Sequence, residues 1–330
     1  PLILKGLQDP DPGVRHMAAF AAGQLGAASL VPRLLTASAR ERDVRARSSM
    51  LDAVGRTGTL SDLDSLAGLF PAGSRRDRAG VLMALTRFAL RGIRSPRAVW
   101  YAVACLADRS PEVRWRSLYL LWRSAPHPIL ATELSGKSEQ FAKLATDTSA
   151  DVRLNLATLL GRVESEEARK LLVNLATAEV RRKDPDWRVR VQLVRAAGVH
   201  VRRDGSVAAL LLEGLNDAND HVVIAACMAF PGDAPTSRSM DLRDSVRSVL
   251  WGLVRSARSR PPDVAGEAVV ALLRFRPEEA DDVLAFSMTA DLPVRMRSKI
   301  LEALSLAPTP GGWRAMRSAW EDPTIAVAMA

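Results

Sequence analysis

Apolar positions along the chain follow a helical spacing. Near the start, Val14, Ala18, Ala21, Ala22 and Leu25 fall at the i, i+4, i+7 intervals of one buried helical stripe. Gly26 predicts its end, as a residue free to adopt the left-handed C-cap conformation. Leu30, Leu34 and Leu35 then predict a second helix. No later segment sustains the alternation of a strand, so the pattern predicts an all-α chain.

A phrase recurs along the chain: an acidic or Asp-Pro turn, a few residues, Val-Arg, then small and apolar residues. It reads Asp11-Pro12-Gly13-Val14-Arg15, Asp43-Val44-Arg45, Pro111-Glu112-Val113-Arg114, Asp151-Val152-Arg153 and Asp186-Trp187-Arg188-Val189-Arg190. A degenerate copy lies at Asp77-Arg78-Ala79; Asp220-His221-Val222 and Asp263-Val264 lose the arginine; Asp291-Leu292-Pro293-Val294-Arg295 restores it, and Asp322-Pro323-Thr324-Ile325 opens one more. The mean period is about 35 residues, within the range of solenoid repeats. Pro12, Pro111 and Pro293 sit at or before helix starts, where a missing N–H costs nothing. The nearby acid caps or complements the positive helix end.

Asp-Pro-x-x-Val-Arg-x-x-Ala-Ala with its following glycine, best kept over residues 9–26, resembles HEAT repeats, in particular the short bacterial kind first noted in phycobilisome lyases. The resemblance implies a right-handed α-solenoid of stacked two-helix units, about nine of them, running as one array over residues 1–330. Segment 231–240 reads as an inserted loop. Residues 1–8 and 322–330 read as half-repeats, so the chain is expected to be a fragment cut mid-repeat at both ends. In HEAT arrays the repeated acid and arginine form an interior ladder. That implies internal pairing of Arg15, Arg45, Arg114, Arg153, Arg190 and Arg295, since a buried charge left without its partner is costly.

Composition agrees. Of 330 residues, 48% are hydrophobic but only 5% aromatic, which favours helices over a β-sandwich. No apolar run has the length of a membrane span, and the lack of a leader makes the cytoplasm the expected compartment. The net charge of +9 hints at an anionic partner, but Arg outnumbers Lys 40 to 6, and part of that excess belongs to the ladder.

Sites of chemistry are sparse. Cys105 and Cys227 lie in apolar runs and read as packed small hydrophobes. His16, His127, His200 and His221 stand apart, with no neighbouring base and nucleophile. There is no Gly-rich phosphate loop, and there are none of the His-Glu pairs that bind metal in HEAT-repeat deoxyhypusine hydroxylases. The expectation is no catalytic, cofactor or metal site, hence a chain that is not an enzyme.

Basic clusters occur at Arg91, Arg94 and Arg97; at Arg181, Arg182 and Lys183; at Arg202 and Arg203; and at Arg255, Arg258 and Arg260. Most close helices, where cations offset the dipole. They alternate between turns within and between repeats, so they make no single phosphate-tracking stripe. Trp115, Tyr119 and Trp122 follow i, i+4, i+7 and align with His16, Phe20 and Gly23 of the first unit. They are either packed against an adjacent helix or the long connection at 125–137, or a patch that anchors a partner.

The expected function is therefore a non-enzymatic scaffold for a protein partner or another domain of the same chain. One alternative is nucleic-acid binding or repair, since Trp187 beside Asp186 evokes HEAT-like DNA glycosylases. The other is an interaction module of a larger enzyme. The run Ala18 to Leu25 is similar to HEAT arrays in bacterial proteins that also carry a peptidyl-prolyl isomerase domain.

Overall fold

The structure, a computed structural model, describes residues 2–70, 77–182, 185–201, 207–230, 240–256, 259–289 and 292–305, with 310, 313, 314, 317 and 321. Among them are nineteen α-helices and no strand. None of these helices is long and apolar enough to cross a membrane. The chain divides into two compact units, Pro1–Leu171 and Leu172–Ala330.

The first unit runs α1 (Leu2–Gly6), α2 (Pro12–Gln24), α3 (Val31–Arg40), α4 (Val44–Thr57), α5 (Leu60–Leu69), α6 (Arg78–Leu90), α7 (Pro96–Cys105), α8 (Pro111–Ser124), α9 (His127–Gly136), α10 (Ser138–Ala145) and α11 (Ala150–Leu160). Helices α2, α4, α6, α8 and α11 each follow a copy of the recurring turn, and each packs on the next to form a continuous row. Helices α3, α5, α7 and α10 make a second row, each packed on the motif helix after it. The long connection expected at 125–137 is instead helical. Pro128 sits in the first turn of α9, and Leu130 and Leu134 are buried.

The division between units falls within α12 (Glu166–Val180). The second unit continues with α13 (Trp187–His200), α14 (Ala208–Leu215), α15 (Asp220–Ala229), α16 (Met240–Arg255), α17 (Pro262–Phe275), α18 (Ala280–Thr289) and α19 (Val294–Ser305). Here α13, α15, α17 and α19 form the motif row, and α14, α16 and α18 pack behind it. Residues 231–239 and 322–330 lie outside the described residues.

Local chemistry explains where the motif helices start. The side chains of Asp11, Asp43, Asp186 and Asn219 accept backbone N–H groups of the first turn of α2, α4, α13 and α15. Each cap satisfies donors that a helix start leaves without partners. Gly26 takes φ +64° just past α2, as its place in the sequence predicts.

Valine at the third helical position anchors α8, α11, α13, α15 and α17 in the core. Val113, Val152, Val189, Val222 and Val264 are all buried. In α2 the stripe differs from the expected one. Ala18, Ala19, Ala22 and Gly23 are buried, whereas Val14 and Leu25 are exposed, because only the five residues of α1 pack over that side.

Glycine sets how closely motif helices approach. A Cβ on Gly55 would lie 2.5 Å from the Ala84 carbonyl oxygen, and one on Gly198 would lie 2.5 Å from that of Ala229. Gly23, at the same distance from its cap, faces Ala53 less closely, where a Cβ would lie 3.1 Å from the Ala53 Cα. Gly55→Ala is expected to destabilise the protein by about 1–3 kcal/mol, because overpacking outweighs alanine's helix propensity. Gly68→Ala, in open space within α5, is expected to gain up to about 1 kcal/mol from that propensity. Paired urea unfolding curves decide the matter, and equal effects of the two substitutions would contradict the close approach.

Candidate functional site

The recurring arginines are held at the turns between helices. Arg15 donates to both carboxylate oxygens of Glu41, at 2.6 and 2.9 Å, and to the carbonyls of Asp9 and Pro10, at 2.8 Å each. Arg114 does the same with Asp147, at 2.6 and 2.9 Å, and with the carbonyls of Asp108 and Arg109. Arg190 pairs with Asp217 at 2.7 Å and reaches the Pro185 carbonyl. Arg153, almost wholly buried, donates to the carbonyls of Asp147 and Thr148. Each of these arginines is the fourth residue of its helix.

Two arginines singled out by the Val-Arg phrase lie elsewhere. Arg45 and Arg295 are exposed, each the second residue of its helix. In α4 the fourth position belongs to Arg47, which pairs with Asp77 at 2.5 Å and donates to the Glu41 carbonyl. In α19 it belongs to Arg297. The reason is helical register: distance from the cap, not the neighbouring valine, fixes which side chain points into the turn. In α6 Arg78 pairs with Asp108 from the first position.

Four acids of the ladder are distinct from the caps, whereas Asp77, the partner of Arg47, is itself the cap residue of α6. Glu41, Asp108, Asp147 and Asp217 each stand two residues before the cap of the next motif helix. Each also accepts the backbone N–H of that cap residue. One carboxylate thus folds its own turn and neutralises the arginine of the preceding repeat.

The aromatic trio lies on α8, on the flank away from the buried Val113, Ser117, Leu120, Leu121 and Ser124. All three rings are half-buried. Trp115 and Tyr119 meet edge to face at 6.4 Å, and Tyr119 and Trp122 at 4.9 Å. Trp122 occupies the position where α2, α4 and α13 place Gly23, Gly55 and Gly198, counted from the cap. Its indole N–H donates to the Asn155 Oδ1 of α11 at 3.1 Å. Guanidinium groups cover the rings. Arg123 lies 4.3 Å from the Trp122 centroid and 5.4 Å from that of Tyr119, Arg162 lies 5.1 Å from that of Trp122, and Arg116 lies 5.3 Å from that of Trp115. The sequence pattern found the rings; the arginines over them escaped it, because Arg162 arrives from the next repeat.

Other candidates resolve into packing. Burial pushes the thiol of Cys105 up to about 11 and that of Cys227 up to about 12. His16 meets the Ser49 hydroxyl at 2.6 Å, and His221 stacks on Trp187 at 4.9 Å. Arg91 donates to the carbonyls of Gly55 and Gly58, and Arg260 pairs with Asp220. Lys183, Arg202, Arg203 and Arg258 lie outside the described residues. No group of three or more His, Cys, Asp or Glu that could hold a metal ion occurs among the described residues.

Residues 1–86 match the family model of HEAT repeats. No curated protein matches the chain. Among solved structures it is similar to an engineered protein, at 15% identity and TM-score 0.55, covering 99% of this chain and 96% of that one. It is also similar to Kap95 in the Kap95:Nup1 complex, at 12% identity and TM-score 0.61, covering 97% of this chain and 48% of that one. Kap121p bound to Pho4p aligns at 11% identity and TM-score 0.52, covering 98% and 40%. The chain therefore spans less than half of these last two proteins. The fold is that of a helical solenoid, with HEAT repeats over residues 1–86.

The ladder makes stability depend on acid. A hydrogen bond from Arg15, joined by the amides of Asp43 and Arg42, holds the Glu41 carboxyl at about 2, below its usual 4.5. Its folded value is depressed, so its contribution is complete above about pH 4.5 and is lost as pH falls towards 2. Glu41→Gln is expected to lower the urea midpoint at pH 7 and to flatten its decline between pH 5 and 3. An unchanged pH profile would show that the pair contributes nothing.

Proposed function

We propose that the chain is a non-catalytic scaffold that recognises a protein partner through the exposed flank of the motif row in its first unit. The observation that supports this reading is the ring ladder Trp115, Tyr119 and Trp122, half-buried and fixed edge to face on that flank. Such rings supply large contact area at little entropic cost, which is why aromatic and arginine side chains dominate interface energetics. The turn arginines are consumed by carboxylates and carbonyls, so they offer a partner little. Two proteins of similar fold, Kap95 with Nup1 and Kap121p with Pho4p, hold another protein, which shows what this architecture allows.

The test compares the intact protein, a Trp115→Ser/Tyr119→Ser double variant and Trp100→Ser as immobilised baits in extract of the source organism. Trp100 is exposed on α7, in the other row. Quantitative mass spectrometry is expected to find proteins retained by the intact chain and by the Trp100 variant but lost from the double variant. Circular dichroism melts establish that all three fold. Equal retention by all three, or none by any, overturns the proposal.

A further inference from the structure

Two guanidinium groups beside the ring ladder lack a counter-charge. Among the described residues Arg123 and Arg162 make no ion pair and no side-chain hydrogen bond; both are exposed and lie over the Trp122 ring. The nearest cations on this flank of α4, α6 and α8 have carboxylate partners. Asp52 pairs with Arg56 at 2.6 Å and with Arg87 at 2.8 Å, and Glu112 pairs with Arg116 at 2.7 Å. Two guanidinium groups with no ion pair among the described residues thus meet at one indole.

We propose that Arg123 and Arg162, with Tyr119 and Trp122, form a docking site for an acidic protein segment: an extended stretch with carboxylates on either side of an apolar or aromatic residue. This deepens the scaffold reading and rests on it. A guanidinium lying over a ring keeps its edge N–H groups open, in the fork that accepts a carboxylate bidentately. Two such forks at one ring suit two carboxylates around one apolar anchor. The indole bond to the buried Asn155 and the edge-to-face contact with Tyr119 hold the ring before any partner arrives, which reduces the ordering cost of binding.

The charge pattern favours a peptide over a nucleic acid. A phosphodiester strand draws its affinity from cations repeated along its length. Here the repeats on one side present arginines already paired with Asp52 and Glu112.

Fluorescence anisotropy of the full chain tests the proposal with three labelled probes. These are a peptide of alternating Glu and Phe, the same peptide with Gln for Glu, and an oligo-dT strand of about 20 nucleotides. The Glu peptide is expected to bind at least about tenfold more tightly than the Gln peptide, and Arg123→Gln/Arg162→Gln to abolish that preference. Trp100→Ser is expected to bind as the intact chain does. Equal binding of the two peptides, an unaffected double variant, tighter binding of oligo-dT, or no binding of the Glu peptide overturns it. If the Glu peptide fails while patch-dependent retention from extract persists, the acidic ligand falls and the scaffold stands.

Discussion

Helices α2, α4, α8 and α13 are each tied to the next repeat through the arginine at their fourth position. Its guanidinium lies in a turn that is mostly closed to water, where an incomplete set of partners would cost several kcal/mol. Arg114 shows the complete set: two carboxylate oxygens of Asp147 ahead of it and two carbonyls of its own turn behind it. Asp147 in turn accepts the N–H of Ser149, so the same carboxylate shapes the turn that opens α11. A bidentate fork fixes direction as well as distance. Where such a pair is present, one guanidinium and one carboxylate set the spacing of the two turns they join, whatever apolar residues fill the helices.

The other edge of the motif row is set by side-chain volume. Where Gly55 stands, backbones approach until no Cβ fits, at Gly23 they leave little room for one, and close packing leaves little surface between helices. Where Trp122 stands, an indole takes that space and bonds to α11 through Asn155. Its ring cannot be enclosed, and it carries Tyr119, Trp115 and two arginines with it to the flank. A surface feature thus arises from a departure in a repeating pattern: an indole at the position that glycine holds in α2 and α4 stays half-buried and brings its neighbours to the flank.

Which parts of this were legible in the sequence follows from how local their causes are. The period, the caps at Asp11 and Asp43 and the turn at Gly26 depend on a few neighbouring residues, and the linear pattern shows them. Arg45 misled because Val44-Arg45 repeats the familiar dipeptide two residues too close to the cap; counting four from Asp43 would have selected Arg47. The ladder acids were visible too, as Glu41, Asp108, Asp147 and Asp217 two residues before each cap. The Asp-Pro turn drew attention to the capping acid instead. Helix α9 was hidden by Pro126 and Pro128, which punctuate a loop and a helix start equally well. Arg162 over Trp122 was out of reach, because two repeats must stack before those side chains meet.

The net charge of +9 illustrates why counting residues misjudges what a solenoid can bind. Arg15, Arg47, Arg114 and Arg190 carry full charge, yet each is opposed by a carboxylate within hydrogen-bond distance and is largely screened from any partner. Arg56, Arg87 and Arg116 are exposed enough to be met, but Asp52, shared by the first two, and Glu112 already offset part of their charge. The field that a partner meets is set by the charges left over after this pairing, and near α8 those are the guanidinium groups of Arg123 and Arg162. A repeat whose arginines are mostly structural can therefore be strongly basic in composition while presenting a partner with far less positive charge than the count suggests, and where a leftover guanidinium lies beside a ring, charge and apolar surface are offered together.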